Sequence, residues 1–204
     1  MRPILWLLVT FLTLSLLCAC ATAYRQYDVE LTREGVLAEK HLSEGNYEAA
    51  LEMYAKARKT YAAESNDEGV LFCLERMGWI CRENGQYGEA LEFFRLAHPL
   101  GLRLNGDSAE IDADLGDVYL FSGDSEKASE HYHRTLHELK DFVFKTAYSR
   151  PPGSREIASM VRKSKAIIHA RTNLGTLHYF AREYEKSIEH LKAAEELIER
   201  IQKV

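Results

Sequence analysis

The sequence predicts an all-α fold of about four antiparallel helix pairs, on two observations. One is a unit in which a small residue on a first helix is followed by a turn and by a second helix whose small residues lie seven positions apart. The other is the turn, which reads Gly45-Asn46-Tyr47 in the first copy and Gly85-Gln86-Tyr87 in the second. Small residues where two helices cross let the backbones approach closely, and aromatic residues fill the space beside the crossing.

Four copies of this unit follow one another, with crossing residues at Ala38, Gly78, Gly116 and Gly175. The pattern resembles the tetratricopeptide repeat, a helix-turn-helix unit. The resemblance implies a right-handed superhelical solenoid over residues 31–204, because a single pair cannot bury its apolar face alone. The first two steps are about 40 residues, against about 34 in the ordinary repeat, and they resemble those of kinesin light chains and bacterial peptide-sensing regulators.

The later copies depart from the pattern at single positions. Arg182 replaces the turn glycine of the fourth copy, and Ser187 replaces its alanine. Pro99 is expected to bend or end its helix nearby, because proline cannot donate a backbone hydrogen bond. Asp107, with Glu110 three positions later, predicts a capping box at the start of the next helix.

The N-terminal segment is predicted to be a bacterial lipoprotein signal peptide, residues 1–19. Arg2 supplies a positive charge, residues 4–17 are apolar, and Leu17-Cys18-Ala19-Cys20 resembles a lipobox. Cleavage before Cys20 would leave a lipid-bearing cysteine, followed by a short membrane-proximal linker, residues 20–30. Ala21 after this cysteine implies, by resemblance to enterobacterial sorting, an outer-membrane protein that faces the periplasm in a Gram-negative organism. An uncleaved transmembrane anchor is the alternative.

Composition and motifs exclude several functions. The net charge of −5 argues against general nucleic-acid binding. Cys73 and Cys81 lie eight positions apart on one predicted helix, too far for a disulfide, and are predicted to be buried thiols. No nucleophile elbow, phosphate-binding loop or zinc-protease motif occurs, so the sequence predicts neither an enzyme nor a cofactor.

Two polar clusters offer alternatives to a pure binding function. One cluster is His131, His133 and His137 on one predicted helix, which would bind the metal ion of a metal-dependent envelope enzyme. A solvated helix face is the simpler interpretation of these histidines, and no metal site is predicted. Three acidic residues between positions 112 and 117 lack the glycine position of a calcium loop. They are predicted to lie early on a helix, where negative charge is favoured.

The resemblance implies that the first helices line a concave partner-binding groove. Trp79 is the most prominent candidate, and groove and core positions both stay open for it. The carboxylate clamp of some relatives is not matched, because Gly35 and Glu39 stand where lysine and asparagine would be needed. The positions that correspond to groove residues are Phe72, Arg76, Trp79, Arg82, Phe121, His169, Asn173, Thr176, Tyr179 and Phe180.

The step from the third copy to the fourth is about 20 residues longer than the one before it, with a Pro-Pro-Gly turn at positions 151–153. We therefore expect an extended helical hairpin over residues 141–165, with Ser154 as an N-cap. A solvated hairpin is one interpretation, and a docking element for anionic lipid or an acidic partner is the other. The basic residues of this hairpin are Lys145, Arg150, Arg155, Arg162, Lys163 and Lys165.

These features together predict a lipid-anchored scaffold or assembly factor for a complex of the cell envelope, with a protein or peptide as its partner. A peptide-sensing binding module is a second hypothesis. The last helix has no following repeat to cover it, so self-association is a further possibility. Its uncovered apolar residues are predicted to be Ile188, Leu191, Ile198 and Ile201.

Overall fold

A computed structural model describes residues 29–142 and 153–202 of the chain. Within these residues the fold consists of eight α-helices and contains no strand. No helix of the described part is long and apolar enough to cross a membrane. The helices are α1 Arg33–Ser43, α2 Tyr47–Ala63, α3 Asp67–Glu83, α4 Tyr87–Asn105, α5 Ala109–Phe121, α6 Ser125–Glu138, α7 Ser154–Phe180 and α8 Tyr184–Gln202.

The helices form four pairs, and the predicted crossing residues lie between the two members of each pair. A Cβ atom added at Gly78 on α3 would lie 2.9 Å from the Phe94 ring on α4. At Gly116 on α5 it would lie 2.6 Å from the ring of Tyr132 on α6. These distances are too short for real contacts, so only glycine fits. The predicted repeat architecture, an all-helical solenoid of four pairs, is confirmed.

The turns within the pairs share one backbone conformation. Gly45, Gly85 and Gly123 have φ values of 75°, 74° and 90°, in the left-handed region where glycine carries no steric cost. The fourth pair makes the same turn with Arg182 at φ 61°. The replacement of the turn glycine by Arg182 therefore leaves the turn intact, at the cost of local backbone strain.

Two local expectations about α4 and α5 are not met: α4 does not end at Pro99, and Asp107 is not the N-cap of α5. Pro99 lies inside α4, which continues for six residues beyond it to Asn105. Packing holds this last part of the helix in place, since Gly101 is buried against Ile111 of α5. The N-cap of α5 is Ser108 rather than Asp107. The Asp107 carboxylate lies instead 2.8 Å from Nζ of Lys163.

The long connection between the third and fourth pairs is described only at its two ends. Helix α6 ends at Glu138, and residues 139–142 form a turn rather than the start of a helical arm. The predicted second arm is present as the beginning of α7, whose N-cap is Gly153, one position before the predicted Ser154. Phe142 and Met160 pack against the same core cluster. Lys145 and Arg150 of the predicted basic hairpin lie outside the described residues, as do the predicted signal peptide and Cys20.

The final helix exposes less apolar surface than the sequence predicts. Ile198 and Ile201 pack against a cluster centred on Ile168, and Leu191 lies over Gly175. Among the four predicted residues only Ile188 is exposed. Helix α7 is long enough for its N-terminal half to cover α8, which explains the difference.

The two described cysteines are buried, as predicted. Cys73 and Cys81 are free thiols on α3. Burial raises the pKa of Cys73 to about 12 and that of Cys81 to about 11. Thiols with such pKa values are protonated at neutral pH, so these cysteines serve as core residues rather than as nucleophiles.

Candidate partner-binding groove

The first helices of the last three pairs meet at one buried carboxylate, that of Asp117 on α5. Nη1 of Arg82, on α3, lies 2.7 Å from Asp117 Oδ2 and 3.4 Å from Asp114 Oδ1. The Arg82 side chain is only 9% exposed, and its guanidinium lies over the Phe121 ring at 6.0 Å. A buried guanidinium of this kind needs its charge neutralised, which Asp117 does directly.

The other oxygen of Asp117 is held by three groups from α6 and α7. Oδ1 accepts a hydrogen bond from the Tyr132 hydroxyl at 2.8 Å and another from Asn173 Nδ2 at 3.1 Å. His169 Nε2 lies 2.6 Å from the same oxygen. We call Arg82, Asp117, Tyr132, His169 and Asn173 the Asp117 network. It fixes three first helices relative to one another and so sets the shape of the groove wall.

The network shifts the protonation of its members. Burial alone would raise the pKa of Asp117, but His169, Arg82 and the Tyr132 hydroxyl favour the carboxylate, and the pKa is lowered. Burial alone would lower the pKa of His169, but the Asp117 carboxylate beside it raises the pKa. The carboxylate and the imidazolium therefore stabilise each other within the folded protein.

A second polar contact between first helices is centred on Glu39 of α1. The Tyr54 hydroxyl donates to Glu39 Oε1 at 2.7 Å, and Arg76 Nε lies 3.2 Å from the same oxygen. Phe72 does not line this surface as predicted, because it is buried in the core with its ring 6.1 Å from that of Tyr54. For Trp79, both a groove position and a core position were open. It is half-buried and packs against the same core cluster, so it combines features of both.

Exposed aromatic rings cluster at the end of α7 and the start of α8. Tyr179 is 58% exposed, and its ring centroid lies 5.8 Å from that of Phe180 and 5.7 Å from that of Tyr184. Phe180 is 77% exposed. We call Tyr179, Phe180 and Tyr184 the aromatic edge. Phe121 ends the neighbouring first helix, α5, and is likewise exposed.

Some of the predicted groove residues are therefore brought together within the described part of the chain. Arg82, His169 and Asn173 converge on Asp117, and Thr176 is exposed one turn further along α7. Asp117 is predicted only to lie early on a helix, which is wrong, because it lies in the second half of α5 and is buried. Its burial against His169, 52 positions away, could not be inferred from local spacing.

The histidines of α6 do not come together. His131 Nδ1 lies 2.8 Å from Asp112 Oδ1, whereas the His133 ring lies beside that of His190, 6.1 Å between centroids, and His137 is exposed. No group of ligand atoms that would suit one ion includes two of these three histidines within the described part of the chain. The geometry gives no support to a metal-dependent enzyme that uses this cluster.

The described part of the predicted basic hairpin is only partly available. Arg162 and Lys163 are half-buried, and Lys163 is paired with Asp107. Lys165 is exposed. For Arg155 only the backbone, within α7, is described. A docking function for the hairpin stays a prediction.

The fold places the chain among helical-repeat proteins, whose paired helices present a groove to partners. Residues 30–101 match the family model of the tetratricopeptide repeat, so this part of the chain resembles repeats of that family. Such repeats are typically interaction modules without enzymatic activity. No curated protein matches the chain.

Two solved structures are similar in fold. The crystal structure of BtubC (BKLC) from P. vanneervenii matches with a TM-score of 0.62 and 18% identity over 83% of this chain. This chain spans 63% of BtubC. The crystal structure of MamA matches with a TM-score of 0.46 and 16% identity, over 86% of this chain and all of MamA. At 18% identity the likeness to BtubC concerns the fold alone, and the TM-score of MamA is too low to support an argument.

Proposed function

We propose that this protein is an interaction scaffold whose first helices bind an extended segment of a partner protein. The observation that carries the proposal is the aromatic edge, which leaves Tyr179 and Phe180 more than half exposed beside a wall fixed by the Asp117 network. Exposed aromatic rings on rigid helices provide apolar contact area with little loss of side-chain entropy.

The charges of the groove point to an apolar rather than an ionic anchor on the partner. Arg82 is neutralised by Asp117, and Arg76 by Glu39, so neither guanidinium presents a bare charge. A partner that docks here would insert aliphatic or aromatic side chains against the aromatic edge. Such contacts depend weakly on salt, unlike contacts to exposed basic residues.

Replacing Tyr179 and Phe180 together by alanine should weaken partner capture by at least about 10-fold, since the loss of a hot spot costs about 2 kcal/mol or more. The matched control is the double replacement of Leu96 and Leu102, exposed apolar residues of similar exposure on the second helix α4. Crosslinking pulldowns from envelope extracts, analysed by quantitative mass spectrometry at two salt concentrations, measure the effect. Equal capture by both variants would count against the groove.

We further propose that the scaffold is anchored in the cell envelope by lipid on Cys20. The apolar segment and lipobox-like residues before this cysteine support the proposal. The solenoid begins soon afterwards, since the Tyr61 hydroxyl donates to the Glu30 carbonyl oxygen and accepts from the Thr32 amide. The partner-binding surface would therefore stay close to the bilayer, facing the periplasm in a Gram-negative organism. Assembly of an envelope complex is the function that this placement favours.

The anchor makes a direct prediction for metabolic labelling. Cys20→Ser should abolish incorporation of a fatty-acid analogue and release or mislocalise the protein, because lipid attachment needs the thiol, which serine lacks. Cys18→Ser is the matched control and should retain the label. Label retained in Cys20→Ser would show that the cysteine is not the lipidated residue.

A further inference from the structure

A second polar centre lies where the second and third pairs meet, away from the Asp117 network. His98 of α4, Asp112 of α5 and Glu138 of α6 each present one ligand atom, and these three atoms lie within 4.8 Å of one another. Three consecutive helices therefore contribute one potential metal ligand each. The residue types, one imidazole and two carboxylates, are those that bind zinc in proteins.

One oxygen of the Asp112 carboxylate, Oδ1, has two polar partners, whereas the other, Oδ2, has no hydrogen bond. The side chain is fully buried. Oδ1 lies 2.8 Å from Nδ1 of His131 and 3.3 Å from Nη1 of Arg134. Oδ2 is buried without a hydrogen bond. A buried carboxylate oxygen without a hydrogen bond is costly, and the His98 imidazole 3.4 Å away compensates it only when protonated, so this oxygen is a candidate ligand for a cation.

The separation of the ligand atoms fits a metal better than a hydrogen bond. His98 Nε2 and Asp112 Oδ2 lie 3.4 Å apart. Two ligands about 2.0 to 2.1 Å from a tetrahedral zinc ion are separated by about 3.4 Å. The contacts that His131 and Arg134 make with Oδ1 correspond to the outer contacts that orient a metal-binding carboxylate.

The third ligand is held in place by Ser108, the N-cap of α5. The Ser108 amide donates to Glu138 Oε2 at 2.9 Å, and its hydroxyl lies 3.2 Å from Oε1. The same hydroxyl lies 2.9 Å from His98 Nε2. The hydroxyl therefore contacts two of the three proposed ligand residues.

One of the three ligands borders a cavity. This cavity, of about 370 Å³, opens beside His98, whereas Asp112 and Glu138 do not line it. His98, at 31% side-chain exposure, forms part of its lining. The residues that line the cavity are Arg95, His98, Leu115, Tyr119, His131 and Arg134.

We propose that His98, Asp112 and Glu138 bind a divalent transition-metal ion, with Zn²⁺ as the best match to the ligand set. The two carboxylates balance the charge of the ion. Because the ligands come from α4, α5 and α6, the ion clips the second pair to the third and stiffens the solenoid beside the groove. This site is separate from the groove, so a test of metal binding can fail without affecting the proposed scaffold function, and the reverse also holds.

The purified full chain, stripped with EDTA, tests the site by calorimetric titration with Zn²⁺ and by thermal melts with and without the ion. We expect binding with a Kd of about 1 µM or tighter and a higher Tm with Zn²⁺, because an ion that binds only the folded state stabilises it. His98→Ala and Glu138→Gln should each weaken binding by at least about 10-fold. The exposed His137→Ala, on the same helix as Glu138, is the control and should bind as the wild type does.

Titration with Co²⁺ distinguishes this site from cysteine ligands, since a site without thiolates lacks the thiolate-to-metal charge-transfer band. No binding of Zn²⁺ at about 100 µM would overturn the proposal, as would unchanged binding in both ligand variants. Loss of binding only in His190→Ala would assign the ion to the stacked His178–His190 pair instead, and would also overturn it. Since His98 is partly exposed, His98→Ala should fold and give a clear result even if a variant at the buried Asp112 does not.

Discussion

Replacing Asp117 by alanine is expected to lower the free energy of unfolding by about 3 to 5 kcal/mol, because it leaves Arg82 buried with its main counter-charge removed. The Tyr132 hydroxyl and the Asn173 amide lose their shared acceptor in the same change. Denaturant unfolding followed by circular dichroism measures the effect. The exposed Glu92→Gln, on α4, should stay within about 0.5 kcal/mol of the wild type. A loss below about 1 kcal/mol for Asp117→Ala would show that the network does not hold the first helices together.

The same variant predicts a dependence on pH. The lowered pKa of Asp117 contributes stability that is present above its ordinary value of 3.8 and is lost as the pH falls through the folded-state value. The raised pKa of His169 contributes stability that is fully present below 6.5 and is lost as the pH rises through its folded-state value. The stability difference between wild type and Asp117→Ala should therefore be largest from about pH 4 to 6.5 and should shrink as the pH rises above 6.5.

Comparing the two proteins at each pH removes an opposing contribution. Burial lowers the pKa values of His133 and His190, and the neighbouring His178 lowers them further. They therefore reduce stability as the pH falls below 6.5, in wild type and variant alike. A difference that instead grows from pH 6 to pH 8 would contradict the pairing of His169 with Asp117.

Leucine at Gly78 is the second change for which a large effect is expected. Its Cβ alone would lie 2.9 Å from two atoms of the Phe94 ring, which is itself fully buried. Neither the ring nor the backbone of α4 can move without opening the core between α3 and α4. We expect a loss of about 3 kcal/mol or more, at the upper end of overpacking costs.

The matched control for this change is Gly88→Leu. Gly88 lies on α4 of the same pair, and a Cβ added there meets no atom within 4 Å. Thermal melts of the two variants should differ by many degrees, with Gly88→Leu close to the wild type. Similar melting temperatures would mean that the helices of this pair do not cross as closely as the structure has them.

The repeat architecture could be predicted from sequence because the residues that contact each other across a helix pair lie within one copy of the repeat. Gly78 and Gly116 recur at matching offsets from Phe94 and Tyr132, and each pair of residues forms the contact that the offset implies. The turn glycines likewise encode their own backbone conformation. The turn of the fourth copy could be predicted even though Arg182 replaces its glycine, because the residues around Arg182 keep the repeat pattern.

The polar centres could not be predicted, because their partners come from distant parts of the chain. Asp112 and Asp117 are spaced like ordinary residues of a solvated helix, yet both are buried. What buries Asp117 is α7, reached only after the long connection that follows α6. Pro99 failed as a helix end for a related reason: packing of the following turn against α5 outweighs the missing hydrogen bond.

The predicted groove residues fall on different sides of the first helices, and the difference has a physical cause. Family positions on a first helix face either the groove or the neighbouring helix, and a small rotation of the helix separates the two. Phe72 falls on the inner side, against Tyr54, whereas Tyr179 and Phe180 fall outside at the end of α7. Sequence alone does not fix that rotation.

Site-specific photocrosslinking tests the central claim, that the first-helix surface binds the partner, most directly. A photoreactive phenylalanine analogue is placed in cells at Phe180, on the aromatic edge, or at Leu96, on the second helix α4 and also exposed. Our account predicts a discrete crosslinked partner from position 180, lost when Tyr179 is also replaced by alanine, and none from position 96. A partner crosslinked equally from both positions, or only from position 96, would contradict it.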